Sequence, residues 1–150
     1  MAEPKVLLVR LAKDLYAIPI ASIEEILPAL PIEAMPQSPE YVRGVVFVRG
    51  HLIPVLSAAE RLGLRDHQSS DDPPVICVRV GKRMVGIEFD EAVDLMDIEG
   101  AKALGCEEIG VQEGFFTGVV ECNGLVIRML NPEYLISPDE TPISTGFEQE

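Results

Sequence analysis

A chain of 150 residues, 47% of them hydrophobic, can bury a core of its own as one domain or as two small lobes. Its net charge of −13 opposes phosphate backbones and anionic lipid surfaces, so a nucleic-acid partner is not expected. No apolar run nears the ~18 residues that span a bilayer, and the opening Met-Ala-Glu-Pro-Lys lacks the basic-then-apolar order of a secretory leader. Cys77, Cys106 and Cys122 are odd in number and show no Cys-x-x-Cys spacing, as expected of reduced thiols in the cytoplasm. Charge is lopsided: residues 1–68 carry 8 acids and 7 bases, whereas 69–150 carry 17 acids and 5 bases. A basic contact surface therefore belongs to the first half and an acidic face to the second.

Lys5–Leu11 reads as an apolar strand, Lys13 and Asp14 as a turn, and residues 16–20 as a second strand pairing back. Residues 21–27 suit a short helical turn or an extended corner, with Ser22 as N-cap and Glu25 three positions on. Pro28, Pro31, Pro36 and Pro39 then forbid a long helix. Two runs rich in valine and isoleucine, 45–48 and 52–56, follow as strands because branched side chains pack well on a pleated surface. They join through Arg49, Gly50 and His51, where Gly50 accepts the positive φ of a tight reversal. Pro54 has no N–H for a ladder, which assigns its strand to an edge or a bulge. Residues 57–62 fit a one- or two-turn helix ended by Gly63, and the polar, proline-terminated 66–74 fits a linker.

The pattern then starts again. Val6-Leu-Leu-Val-Arg-Leu-Ala-Lys13 lies over Val75-Ile-Cys-Val-Arg-Val-Gly-Lys82 at an offset of 69. Tyr41-Val-Arg-Gly-Val-Val46 lies over Phe115-Phe-Thr-Gly-Val-Val120 at an offset of 74, and Gly50 meets Gly124. The glycine matches mark the same backbone turns twice, the signature of a duplication, with the extra residues inserted near 100–108. Each half supplies about five short strands, and Asn123-Gly124 is a strong hairpin signal. Strands with open edges aggregate unless the sheet curls, so the expected fold is mainly β. It consists of two SH3-like five-stranded barrels with short helical segments, lobe 1 at about 5–65 and lobe 2 at about 75–136. Residues 137–150 are expected to form a flexible acidic tail.

Signatures of catalysis are missing: no Gly-x-Ser-x-Gly, no phosphate-binding Gly-x-x-x-x-Gly-Lys, no His-Glu-x-x-His. His51 and His67 with scattered cysteines give no metal spacing, and no cofactor is expected. The carboxylates among residues 90–99 read as an exposed, partly helical corner rather than an acid–base pair.

Residues Glu40-Tyr-Val-Arg-Gly-Val-Val-Phe-Val-Arg-Gly-His-Leu-Ile-Pro-Val-Leu56, followed by Arg-Leu-Gly-Leu at 61–64, resemble the signature of the CheW family. Ile23-Glu-Glu-Ile26 is similar to its Val-x-Glu-Ile element, and 119–130 resembles its last hairpin. The resemblance implies a non-catalytic cytoplasmic scaffold with two partners. One is the regulatory domain of a CheA-type histidine kinase, of the same fold; the other is the helical tip of a chemoreceptor, held in the groove between barrels. Phe47 stands where the family has Asn, and Ser57 where it has Asp. These departures bear on which receptor and kinase are served, in flagellar chemotaxis or in a parallel system such as surface motility or cyclic-dinucleotide signalling.

The same resemblance puts Glu25 and Arg49 at the family's glutamate and hairpin arginine, facing one another with Arg49 partly free for a partner. The alternative is a surface ion pair of little weight. Ile23 and Ile26 serve as core or as contact; Gly44 and Gly50 are backbone requirements first. Phe47 is an interface anchor if it points outward and barrel filling if inward. A two-barrel regulatory module binding a small ligand is the other functional reading.

Overall fold

The computed structural model describes residues 5–64, 67–68, 70–104 and 114–136. Eleven strands are found among them: β1 Lys5–Leu11, β2 Asp14–Pro19, β3 Ile23–Leu27, β4 Val42–Val48, β5 His51–Ser57 and β6 Val75–Val80. β7 Arg83–Glu88, β8 Glu91–Asp97, β9 Lys102–Leu104, β10 Phe116–Cys122 and β11 Leu125–Leu130 follow, with two short helices, α1 Ala58–Arg61 and α2 Pro132–Ile136. The expected acidic tail at 137–150 and the part of the expected insertion beyond Leu104 lie outside the described residues.

Six strands form one sheet in the order β8-β1-β2-β11-β10-β9, and five form the other in the order β3-β6-β7-β5-β4. The expected lobe boundaries, about 5–65 and 75–136, do not separate these sheets. β1 and β2 leave the first half to sit at the centre of the six-stranded sheet, while β6 and β7 enter the five-stranded one. The two repeats have exchanged their leading hairpins. The passages between sheets are short: a 3-10 turn at Ile20–Ser22 and the corner at Phe89 and Asp90 carry the chain from one sheet to the other.

Register carries the duplication beyond the sequence match. Ile26 pairs with Ile76 and Glu25 with Cys77, as Leu95 pairs with Leu7 and Asp94 with Leu8, all at the offset of 69. β3 shifts register between Ile23 and Glu25, and β1 shifts at the equivalent place, Leu8 and Val9, against β8. The second bulge also repeats, between Val42 and Gly44 and between Phe116 and Gly118. Both lobes are thus the same SH3-like barrel; β9, which pairs Leu104 with Val119, gives one of them its sixth strand. The other has at that place only the bridge from Glu33 to Val45.

Each barrel wraps a core, Val46, Ile53, Val55, Val75 and Cys77 in one and Val6, Leu8, Ala17 and Ile127 in the other. A larger core shared by both sheets includes Leu11, Ile18, Leu56, Ile76, Ile87, Phe89 and Leu130, all essentially inaccessible. At about 1.5–3 kcal/mol for each such side chain, this shared layer dominates the energetics. Arg61 pins α2 to it: its guanidinium lies 4.7 Å from the Tyr41 ring centre and 5.0 Å from that of Phe115, and its Nε donates to the Leu135 carbonyl at 3.1 Å.

Other local expectations are corrected. Residues 23–27 take the extended alternative, so Ser22 caps no helix. The corner expected to be helical at 90–99 is mostly β8, because its backbone completes β1's outer ladder. The first reversal turns on Ala12 and Lys13, since Leu11 already pairs with Asp14. Pro54 lies one residue before Val55–Ser57, the stretch of β5 that also pairs with β7, so its missing N–H breaks no ladder there. Ser57 caps α1, its Oγ accepting from the Glu60 N–H at 3.1 Å. Serine and aspartate are equally good N-caps, so this departure keeps the local fold.

Two glycines of the hairpin differ in kind. At Gly44 (φ +147°) an added Cβ would sit 2.0 Å from the Glu33 carbonyl oxygen, whereas at Gly50 (φ +82°) it would meet open space. Gly44→Ala is therefore expected to destabilise by more than about 3 kcal/mol and Gly50→Ala by about 1–2 kcal/mol, read from urea unfolding. Strand exchange makes a second prediction: fragments 1–65 and 66–150 fail to fold separately and regain β circular dichroism when mixed.

Candidate functional site

β3 and β4 are the outer strands of the five-stranded barrel, and no ladder joins them along their length. Arg49 bridges that gap. It sits in the two-residue turn after β4 with φ +48°, and Gly50 beside it has φ +82°, the pair of positive angles that a type I′ turn requires. From there its two terminal nitrogens each donate to one oxygen of the Glu25 carboxylate on β3, at 2.5 Å. Such a fork-to-fork contact fixes geometry as well as charge. Arg49 remains 70% exposed and Glu25 26%, so the pair is oriented yet open to solvent.

Arg49's hydrogen bonds hold the Glu25 carboxyl below the ordinary glutamate range. The contact's contribution to stability is accordingly present above that range and is lost as pH falls through the lowered value. Below the pair lies Cys77, the register partner of Glu25. Burial first, and then the Glu25 charge, push its thiol up to about 11. Beside it Arg79 donates from β6 to Glu24 at 2.9 Å, so both carboxylates of β3 are neutralised.

Phe47 points outward and is 70% exposed, with its cross-strand partner Leu52 at 50%. Alternation on β4 explains this, because Val46 and Val48 on either side fill the barrel. Ile26 is 45% exposed, while Ile23 packs half-buried on the shared core. The expected group is thus split. Glu25, Arg49, Gly50 and Phe47 cluster at one hairpin and seam; Gly44 lies at the far bulge, against the Glu33 backbone. Leu52 was missed, and the only signal that could have found it was the cross-strand register with Phe47.

The second repeat supplies an internal control. At the positions of Glu25, Arg49, Phe47 and Leu52 it has Asp94, Asn123, Glu121 and Val126. Asn123 takes the same left-handed turn (φ +54°) but brings no cation, and Asp94 instead accepts from the Leu95 N–H. A barrel of this type therefore closes without the arginine–glutamate fork. The fork and the aromatic beside it are additions to one lobe, not requirements of the fold. A direct check on the site's interior is thiol labelling of the native chain at pH 8. Modification is expected at half-buried Cys122 and not at Cys77 until denaturant is added, read by mass spectrometry.

A family model for the CheW-like domain matches residues 5–140. The probable chemotaxis protein CheW of Rhizobium etli is 27% identical over 134 residues, covering 88% of this chain and 86% of its own length. The chemotaxis protein CheW of Helicobacter pylori is 26% identical over 125 residues, covering 83% and 76%. The crystal structure of scaffolding protein TtCheW from Thermoanaerobacter tengcongensis shares the fold, with a TM-score of 0.80 at 22% identity over 93% of this chain and 90% of that one. Since one family model spans both barrels and the seam between β3 and β4, the chain belongs to the CheW-like domain family.

Proposed function

We propose that this protein is a non-catalytic adaptor of a chemosensory pathway. It couples chemoreceptor-type sensors to a CheA-type histidine kinase in the cytoplasm, through the seam and hairpin that carry Glu25, Arg49 and Phe47. The observation that carries this reading is the one-sidedness of the site. An exposed arginine held in a fixed orientation and a mostly exposed aromatic decorate one barrel, whereas its twin folds without either. Arginine and aromatic side chains are the residue types that dominate binding energy at protein interfaces. Apolar burial at Phe47 and Leu52 supplies affinity, and the fork sets orientation. Ile23, on the shared core, and Gly44 and Gly50, in the backbone, shape the surface from beneath.

A small ligand between the barrels finds no support in the packing, because that space holds Leu56, Ile76, Ile87, Phe89 and Leu130. No described helix is long and apolar enough to cross a membrane. The partners in this reading are the kinase's regulatory domain and a receptor's cytoplasmic tip.

The test is capture of a purified CheA-type kinase and of a receptor cytoplasmic fragment by wild type, Arg49→Glu and Phe47→Asn. Arg49→Glu is expected to weaken capture at least tenfold with a Tm within about 3 °C of wild type, since an exposed ion pair contributes little to folding. Phe47→Asn is expected to change which partner is preferred. Undiminished capture by a folded Arg49→Glu chain would remove the site from the interface, and a collapsed Tm would make the arginine structural.

A further inference from the structure

Asp90 lies at the corner where the chain leaves β7 in one barrel and enters β8 in the other, and its carboxylate is almost wholly buried. A buried carboxylate is costly unless donors surround it. Here the Ala12 N–H, in the β1–β2 turn, donates to Oδ2 at 2.7 Å. His67 supplies the rest: its Nε2 is 2.9 Å from Oδ1 and 3.0 Å from Oδ2, and side-chain exposure is 12% for the histidine against 5% for the aspartate. A carboxylate only accepts, so Nε2 carries the proton. Arg10, two residues before Ala12, does not compete, because it donates to Glu91 at 2.9 Å and to the Ala12 carbonyl at 2.6 Å.

The main chain of the same corner is bound as well. Ser70 Oγ donates to the Asp90 carbonyl at 2.8 Å, the Asp90 N–H donates to the Arg10 carbonyl at 3.0 Å, and the Phe89 N–H to that of Pro74 at 3.2 Å. Three segments thus meet at one residue: the β1–β2 turn, the passage between barrels, and the crossover that joins the two repeats. The repeat again offers a comparison. The equivalent passage, from β2 to β3, has Ala21 at the position of Asp90 and folds with no side-chain acceptor there.

We propose that His67 and Asp90 form an inter-barrel latch, which straps the crossover between repeats onto the passage from β7 to β8 and so holds the two barrels in one relative setting. The latch is independent of the partner-binding reading of the Arg49 hairpin.

Amide hydrogen exchange and thermal melting of the full chain test it. His67→Ala is expected to speed exchange of the Ala12 amide about tenfold or more and to lower Tm by about 4 °C. His67→Gln keeps an N–H donor and is expected to restore most of the protection. In Asp90→Ala, the residue the other passage carries, adding His67→Ala is expected to lower Tm no further, the mark of two groups acting through one contact. Unchanged Ala12 exchange in His67→Ala, a glutamine variant that exchanges as fast as the alanine one, or Tm losses that add would each overturn the latch. Should Asp90→Ala fail to fold, the two His67 variants decide the matter by themselves.

Discussion

The apolar layer shared by the two sheets is the constraint on which everything else in this molecule depends. Leu56, Ile76, Ile87 and Phe89 from one side meet Leu11, Ile18 and Leu130 from the other, and neither barrel can cover them alone. Short barrels bury little by themselves, and a domain of this size is only marginally stable. Fusing two of them through a common layer gives each the burial it lacks. The exchange of leading hairpins strengthens this union, because β1 and β2 are hydrogen-bonded on both sides by strands from the far end of the chain. The two lobes therefore form one cooperative unit in which surface features can vary without loss of the fold.

That freedom shows where the two repeats diverge. The two repeats keep the same bulges and the same left-handed turns, and they differ at the side chains those turns present. In one, Arg49 reaches Glu25 and Phe47 stands clear of the surface; in the other, Asn123, Asp94 and Glu121 occupy the corresponding places. A duplicated scaffold gives one barrel a fork and an outward aromatic and leaves acidic side chains at the corresponding places of the other. β8 adds Glu91, Asp94 and Asp97 to the acidic second half of the chain.

The seam between β3 and β4 also illustrates how local rules produce a site. Alternation puts Phe47 on the face opposite Val46 and Val48, and the barrel core those two fill turns it outward. A type I′ turn puts Arg49 in the left-handed region, which a glycine at position 50 makes affordable for the pair. Once the turn is fixed, the arginine's reach to the neighbouring outer strand is settled by geometry, over a buried Cys77 whose thiol burial pushes up.

Strand character, the hairpin at Gly50, the short helix within residues 57–62 and the repeat itself were legible in the chain, because each rests on side-chain shape, backbone freedom or direct self-similarity. The resemblance carried by residues 40–56 and 61–64 likewise placed the fold and the family. Which sheet each hairpin joins was not legible, since pairing between distant strands leaves no local pattern in either; hence the boundary expected between 65 and 75 does not divide the barrels. The same limit hid the outward direction of Phe47, the partnership with Leu52 and the contact of His67 with Asp90 across 23 residues. Residue types and spacing set what each segment could become, while register and long-range packing, which exist only once the chain has folded, decided which of them meet.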